Sequence, residues 1–221
     1  MNINADLSER AQLFVPDLPW QDSPLPGITR RMLERDGKET ARATTIVRFA
    51  AQSYFDAHIH DLGEEFLVLD GTFSDQSGDF PAGMYVRNPP GSHHQPHSDE
   101  GCTILVKLRQ FDPDDDQYLR INCHDSPWQD TDQTGIELLP LFARGSEQIA
   151  LQRWAAGSQI ELHDHPRGEE IYVLEGELAD EHGRYPAGTW LRQPAASAHA
   201  PFSKSGCTLY IKVGHLPSAI R

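Results

Sequence analysis

Short stretches in which apolar and polar positions alternate recur along this chain and predict β-strands. Thr44–Phe49 is rich in β-branched residues and alternates. Phe66–Leu69 is apolar and is closed by Asp70-Gly71, and Gly101–Leu108 is again mostly apolar. Turns rich in Gly and Pro separate these stretches, and no long helical period is present. The pattern predicts an all-β fold, a β-sandwich or a barrel.

The pattern occurs twice at a fixed spacing of 105 positions. Thr44–Leu108 aligns with Ile149–Val213 without a gap, with 27 identical pairs in 65. A period this long indicates a duplicated domain rather than a short structural repeat. We therefore predict one domain with an N-terminal extension over residues 1–115 and a second over residues 116–221.

The segments outside the clean repeat give weaker signals. Gln12–Val15 and Ile28–Arg35 are interpreted as strands, and residues 1–43 as a whole are broken by prolines. Residues 111–134 are polar and read as a loop. The acidic run Asp112–Asp116 within them is interpreted as a solvated linker.

Each copy carries a group of residues that suits a divalent transition metal. Two histidines at i and i+2 point to one face of a strand, and a turn containing Gly brings a glutamate back beside them. A third histidine follows a turn rich in Pro. Three imidazoles and one carboxylate form a ligand set for such a metal. The eight predicted ligands are His58, His60, Glu64 and His94 in the first copy, and His163, His165, Glu169 and His199 in the second.

These motifs resemble the cupin superfamily, and most closely the cupin-like domain of the ChrR-type anti-sigma factors. The resemblance covers nearly the whole chain and implies a bicupin: two tandem jelly-roll barrels, each with a metal site. Its second motif matches at Gly83, Pro89, Gly91 and His94. In the second copy Ala196 stands where Gly is expected, and Ala resists a positive φ.

Neighbouring charged residues are assigned structural roles. Glu65 and Glu170 lie one position off the strand phase, so they should face away from Glu64 and Glu169, at the surface or as supporting partners. The recurring cations, Arg87 with Arg192 and Lys107 with Lys212, are interpreted as members of ion pairs, with a cavity-lining role as the alternative.

Composition narrows the class of partner. The net charge of −14 argues against nucleic acid and against an anionic membrane surface. No run of 18 apolar residues and no signal peptide is visible. Three cysteines without a CxxC pair fit a reduced, cytoplasmic protein. A homodimer is expected because cupin sheets have edges that must be covered.

The resemblance leaves more than one function open. The first interpretation is a regulatory or sensory metal-binding module, with zinc as the favoured metal. Residues 1–43 contain no Cys or His, so they do not supply the helical zinc-binding domain that contacts sigma factors in the ChrR type. The alternative is an Fe(II)-dependent dioxygenase that cleaves a small diketone or hydroxy-ketone. An isomerase or a storage protein ranks last, and manganese or nickel would also suit the ligands.

Overall fold

The structure is a computed structural model that describes residues 1–38 and 40–218. It contains one short 3-10 helix, Val15–Asp17, among the residues described. Everything else that is regular is β-strand. In chain order the strands are β1 (Asn2–Ile3), β2 (Ala11–Phe14), β3 (Gln21–Asp22), β4 (Ile28–Gly37), β5 (Ala41–Phe49), β6 (Ser53–Tyr54), β7 (His58–His60), β8 (Glu64–Asp75), β9 (Gly78–Pro81), β10 (Met84–Asn88), β11 (Ser92–His94), β12 (His97–Ser98), β13 (Cys102–Leu108), β14 (Leu119–Asn122), β15 (Gln129–Asp130), β16 (Ile136–Arg144), β17 (Glu147–Trp154), β18 (Ser158–Gln159), β19 (His163–His165), β20 (Glu169–Asp180), β21 (Gly183–Pro186), β22 (Thr189–Gln193), β23 (Ser197–His199), β24 (Phe202–Ser203) and β25 (Cys207–Val213).

These strands form two compact units with the same topology. In the first unit the main sheet runs β1-β4-β5-β13-β8-β10-β14, and in the second it runs β15-β16-β17-β25-β20-β22-β2. Each unit also holds a separate two-stranded ladder, β7 with β11 or β19 with β23. The prediction of an all-β chain with two tandem barrels is confirmed.

The compact units are not divided simply between residues 115 and 116. The two domains with that boundary stay a prediction. The first unit comprises Met1–Ala5 and Leu18–Ser126, and the second comprises Asp6–Asp17 and the chain from Pro127 onward. The reason lies in two short strands. β14 follows the first repeat and pairs with β10, whereas β2 precedes it and pairs with β22. Each covers a strand edge that would otherwise expose unpaired backbone groups.

Two predictions about where strands are interrupted are wrong. Residues 111–134, predicted as a loop, contain β14 and β15. The strand predicted to close at Asp70-Gly71 continues to Asp75 as part of β8. Gly71 allows the strand to continue because its φ is +71 and a Cβ atom there would lie 2.1 Å from the carbonyl oxygen of Gly101. Gly176 meets Gly206 in the same way. No side chain other than hydrogen fits so close an approach of two backbones.

Each barrel has an apolar core built from the inward-facing positions of its strands. In β8, Phe66 and Val68 point into the core, and the following Phe73 joins them. Their counterparts Ile171, Val173 and Leu178 do the same in the second barrel. The alternation puts Glu64 and Glu169 on the inward face too, at the end of the strand where the histidines lie. No helix in the described part of the chain is long and apolar enough to cross a membrane.

Candidate metal centres

The small ladder in each barrel brings the three predicted histidines together. In the first barrel His94 of β11 lies directly opposite His58 of β7, and the alternation along β7 turns His60 to the same face. The three ring centroids are 4.7–4.9 Å apart. His163, His165 and His199 repeat this arrangement, with centroids 4.8–5.0 Å apart. In each group one ligand atom per residue lies within 4.8 Å of the others, so both groups could hold a metal ion.

The predicted glutamate joins each group. The turn before β8 places a buried Glu64 with its Oε2 atom 3.4 Å from Nε2 of both His60 and His94. In the second barrel Glu169 Oε2 lies 3.5 Å from His165 Nε2 and 3.3 Å from His199 Nε2. All eight residues predicted as ligands are therefore gathered into two sets of four.

The opposite ring nitrogen of two histidines in each set is held in place. Nδ1 of His94 lies 3.1 Å from a carboxylate oxygen of Asp75, and Nδ1 of His199 lies 3.2 Å from one of Asp180. Nδ1 of His58 faces a backbone carbonyl at 2.8 Å, and Nδ1 of His163 faces one at 3.0 Å. Because Nδ1 then carries a proton, the neutral form of each imidazole has its lone pair on Nε2, directed toward the centre of the set.

The Nε2 atoms themselves fit a bound metal. Those of His60, His94, His165 and His199 are buried and have no hydrogen-bond partner among the described residues. A buried polar atom left without a partner costs about 1–3 kcal/mol, and that cost is removed when the atom coordinates a metal. The residues present thus match a divalent metal held by nitrogen and oxygen.

Burial and neighbouring groups together set the pKa of the ligand residues. Burial raises the pKa of Glu64 and Glu169, but the surrounding histidines outweigh it and leave both values lowered, so both are carboxylates at neutral pH. Burial lowers the pKa of His60 and His165 and keeps them neutral. For His94 and His199 the burial effect is overcome by the aspartates, and the pKa of His199 is raised to about 9.

Asp75 and Asp180 are functional residues that the sequence analysis missed. Their contacts with His94 and His199 hold the pKa of each to about 2 despite burial. The sequence did carry a signal, because the two aspartates are 105 positions apart like the ligands. The contact itself is not visible in the local pattern, because each aspartate lies 19 positions before the histidine that it contacts.

A cavity adjoins each set of ligands. The first has a volume of about 590 Å³ and is lined by His58, His60 and Glu64, with an apolar wall that includes Phe49 and Val106. The second has a volume of about 670 Å³ and is lined by all four predicted ligands of its barrel. Both volumes suit a small organic molecule.

The turn before the third histidine has the same shape in both barrels. The backbone amide of Gly91 donates to the carbonyl of His60 at 2.7 Å, and that of Ala196 donates to the carbonyl of His165 at 2.8 Å. Ala196 adopts a left-handed φ of 64°, close to the 81° of Gly91. The alanine therefore makes this backbone conformation less favourable, but the turn follows the same path.

The residue next to each glutamate ligand faces away from the set, as predicted, but Glu65 is buried rather than at the surface. Tyr85 donates to it at 2.8 Å, and Arg87 pairs with it at 2.5 Å. Arg87 also pairs with Asp115 at 2.6 Å. The predicted ion-pair role of Arg87 is confirmed. The interpretation of residues 112–116 as a solvated linker is wrong at Asp115, which is only 3 % exposed because it neutralises this buried guanidinium.

The remaining cations also have structural partners. Lys212 pairs with Glu147 at 2.9 Å, in line with the prediction. Lys107 donates to the hydroxyl of Thr44 at 3.0 Å. Arg192 donates to the backbone carbonyl of Asp6 at 2.7 Å. None of the three lines either cavity described above.

Comparison with known proteins gives a family match that occurs twice along the chain. The family model described as the ChrR cupin-like domain matches residues 8–112 and again residues 116–217. The search of curated proteins finds no match to this chain.

Several solved structures share the fold. A candidate dioxygenase from Nostoc punctiforme PCC 73102 superposes with a TM-score of 0.79 at 14% identity, over 96% of this chain and 85% of its own. Protein YlbA from Escherichia coli gives 0.75 at 16%, over 99% and 96%. The bacterial pirin YhhW from Escherichia coli, in complex with nickel(II), gives 0.71 at 14%, over 96% and 100%. At these identities the likeness shows the fold alone.

Proposed function

The chain belongs to the family of ChrR cupin-like domains, and from that premise we propose that it is a metal-dependent enzyme acting on a small molecule in each cavity. The observation that carries the proposal is the set of buried Nε2 atoms that lie beside a cavity of substrate size and lack a hydrogen-bond partner among the described residues. A site that only stored a metal would need no such cavity. The most direct chemistry is oxidative cleavage of a small diketone or hydroxy-ketone.

The roles of the residues follow from their contacts. His58, His60, Glu64 and His94, and their counterparts in the second barrel, would hold the metal. A bound divalent metal such as Fe(II) would supply Lewis-acid and redox chemistry beside the cavity. A divalent metal held by three neutral imidazoles and one carboxylate would give the centre a net charge of about +1, which would favour an anionic enolate over its neutral ketone. The apolar wall, with Phe49 and Val106, keeps water from the reacting carbon.

The experiment is oxygen uptake by the reconstituted protein. Metal-free protein is loaded with Fe(II) under nitrogen and mixed with a panel of small diketones and hydroxy-ketones in air-saturated buffer. We expect uptake with at least one compound, abolished when both His94→Ala and His199→Ala are present. His93→Ala is the matched control, because His93 is an exposed neighbour of His94 outside both ligand sets. Uptake that survives the double substitution would exclude these centres as its source.

A second candidate is a sensory module that binds zinc without turnover, and the family match favours it. In that case metal binding itself is the signal, and it acts by changing stability or conformation. In the described part of residues 1–43 the regular elements are strands and one 3-10 turn, so this segment would not provide a sigma-binding helical domain. Zinc-loaded protein with a raised unfolding temperature, combined with no oxygen uptake by the Fe(II)-loaded form, would favour this candidate.

Assembly and location remain proposals of the same kind. We propose a cytoplasmic homodimer, on the basis of the three reduced, buried cysteines and of the exposed edges expected for cupin sheets. Light scattering at micromolar concentration checks the assembly, and the mass of a single chain, about 24.8 kDa, would contradict it.

A further inference from the structure

The short strand that covers one edge of each barrel brings an arginine over an aromatic ring of the same barrel. In the second barrel this is Arg10, directly before β2, whose Cζ atom lies 5.7 Å from the centre of the Tyr185 ring. In the first barrel it is Arg120 on β14, whose Cζ atom lies 5.3 Å from the centre of the Phe80 ring. Tyr185 and Phe80 are equivalent because they are 105 positions apart. The two covering strands therefore contact equivalent positions of their barrels.

In the second barrel a continuous chain of hydrogen bonds runs from this arginine to the metal centre. Arg10 Nη2 donates to the hydroxyl of Tyr185 at 2.8 Å. That hydroxyl donates to Oδ1 of Asp180, and Oδ2 of Asp180 lies 3.2 Å from Nδ1 of His199. Tyr185 is fully buried, so its hydroxyl relies on these protein partners rather than on water. The covering strand is thus linked to the third histidine ligand through two side chains.

In the first barrel the hydroxyl that supports the aspartate comes from a different position. Oδ1 of Asp75 accepts hydrogen bonds from the hydroxyl and from the backbone amide of Ser77, the amide at 2.7 Å. The equivalent of Ser77 is the exposed His182, whose backbone amide donates to Asp180 at 2.8 Å. Tyr185 therefore supplies to its aspartate the hydroxyl that Ser77 supplies in the first barrel.

The route from the covering strand to the centre differs as well. Arg120 donates to the side chain of Asn88 at 2.8 Å, and Asn88 donates to Glu64 at 3.1 Å. The route from β14 therefore ends at the glutamate ligand of the first centre, whereas the route that begins at Arg10 ends at a histidine ligand of the second.

We infer that Tyr185 and Arg10 are positioning residues of the second centre, and that they couple β2 to metal binding there. The inference rests on the proposed function only in taking both ligand sets as metal sites. A bound metal fixes the ring of His199, and with it the aspartate and the tyrosine that hold Arg10. By linkage, metal at the second centre then stabilises the pairing of β2 with β22, and this pairing in turn favours the metal.

Hydrogen exchange of the backbone amides of β2 tests the coupling. Exchange is followed by mass spectrometry on metal-free and on zinc-saturated protein. Zinc should slow exchange in β2 about threefold or more in the wild-type chain and in His60→Ala, which keeps the second centre. It should leave β2 unchanged in His165→Ala, which keeps only the first. The amides of β14 should respond in the opposite way.

Substitutions locate the link. Tyr185→Phe copies the first barrel and should abolish the protection of β2 at saturating zinc. It should also lower zinc affinity at the second centre about threefold to tenfold, less than the 10–100-fold typical of a residue that contacts the ligand itself. Arg10→Leu should abolish the protection of β2 with a smaller loss of affinity. Ser77→Ala is the matched variant of the first barrel and should weaken the first centre alone.

A compensating substitution separates positioning from a general loss of stability. His182→Ser in the Tyr185→Phe chain returns a hydroxyl to Asp180 from the position that Ser77 occupies in the first barrel. Zinc affinity at the second centre should recover most of its loss, whereas β2 should stay unprotected because Arg10 still lacks its hydroxyl partner. His182→Ala in the same chain is the control and should restore neither property.

Three results would overturn the inference: no effect of zinc on β2 in the wild-type chain, full protection of β2 in Tyr185→Phe, or equal zinc affinities after His182→Ser and His182→Ala. Its failure is separable from that of the proposed function. Zinc bound at both centres without protection of β2 rejects the inference and leaves the metal sites intact. Protection of β2 in a protein without oxygen uptake supports the inference and counts against the enzyme. A second centre that binds no zinc rejects both.

Discussion

The two barrels share the residues that would hold a metal and differ in those that surround it. Ligands, supporting aspartates and the path of the last turn coincide, position for position. In the first barrel, however, Asn88 donates to Glu64 at 3.1 Å and is itself held by Arg120 at 2.8 Å. In the second, the Nε2 atom of Gln193 has no hydrogen-bond partner among the described residues. The donor set is therefore the same in the two copies, whereas the hydrogen bonds that support its glutamate differ.

The largest effect is expected from removing one ligand in each barrel. Wild-type protein should hold about two metals per chain, and His60→Ala or His165→Ala should each remove about one, because three donors remain at a site built for four. Elemental analysis after dialysis measures the content. A wild-type value of one or less would break the equivalence of the barrels and indicate a silent half.

Loss of a supporting aspartate should weaken metal binding without abolishing it. Asp75→Asn and Asp180→Asn remove the carboxylate that fixes Nδ1 of the third histidine, a change that typically costs 10–100-fold in metal affinity. Competition with a chelator of known affinity measures the effect at each site. Asp79→Asn is a control, because Asp79 accepts a hydrogen bond from Ser74 and contacts no metal-ligand histidine through that bond. Equal affinities for all three variants would contradict the positioning role.

The pH dependence of the metal-free protein should reveal the second centre. The folded pKa of His199 is raised to about 9 from an ordinary 6.5, by Asp180 and Glu169. A raised folded pKa contributes stability that is fully present below pH 6.5 and is lost as the pH rises through about 9. The unfolding temperature of metal-free protein should therefore fall between pH 7 and pH 10. Asp180→Asn should flatten this slope, whereas an unchanged slope would exclude His199 as its source.

A smaller difference should separate the two glutamate ligands. Asn88→Ala removes the amide that orients Glu64, so metal affinity at the first site should fall about fivefold to tenfold, which corresponds to the loss of one typical hydrogen bond. Gln193→Ala removes a side chain whose Nε2 makes no hydrogen bond within the described residues, so the second site should be nearly unaffected. Equal losses at the two sites would show that the observed difference in support has no energetic consequence.

Much of this arrangement could be predicted from the sequence, because most of the ligands are close together in the chain. His58, His60 and Glu64 lie within one strand–turn–strand unit, where alternation fixes the faces, and the repeat at 105 confirms each choice. The missed features depend on long-range pairing. Asp115 is buried because Arg87 lies opposite, and Arg35 lines the first cavity because a register shift changes the phase of β4. Neither the pairing partner nor the register shift leaves a periodic trace in the sequence.

The smallest expected effect concerns the one motif position at which the copies disagree. A left-handed φ costs a non-glycine residue about 1–2 kcal/mol, partly offset by the greater flexibility of glycine in the unfolded chain. Ala196→Gly should therefore stabilise the protein by about 0.5–1 kcal/mol, and Gly91→Ala should destabilise it by a similar amount. A Cβ atom at Gly91 would meet nothing within 4 Å, so the cost there is conformational alone. Chemical denaturation of metal-free protein measures both changes. In each turn the backbone amide at this position donates to the carbonyl of a ligand histidine, and neither substitution removes that amide. Metal content should therefore stay at the wild-type value in both variants. A lost metal in Gly91→Ala would mean that the turn cannot keep its path with alanine, contrary to what Ala196 does in the second barrel.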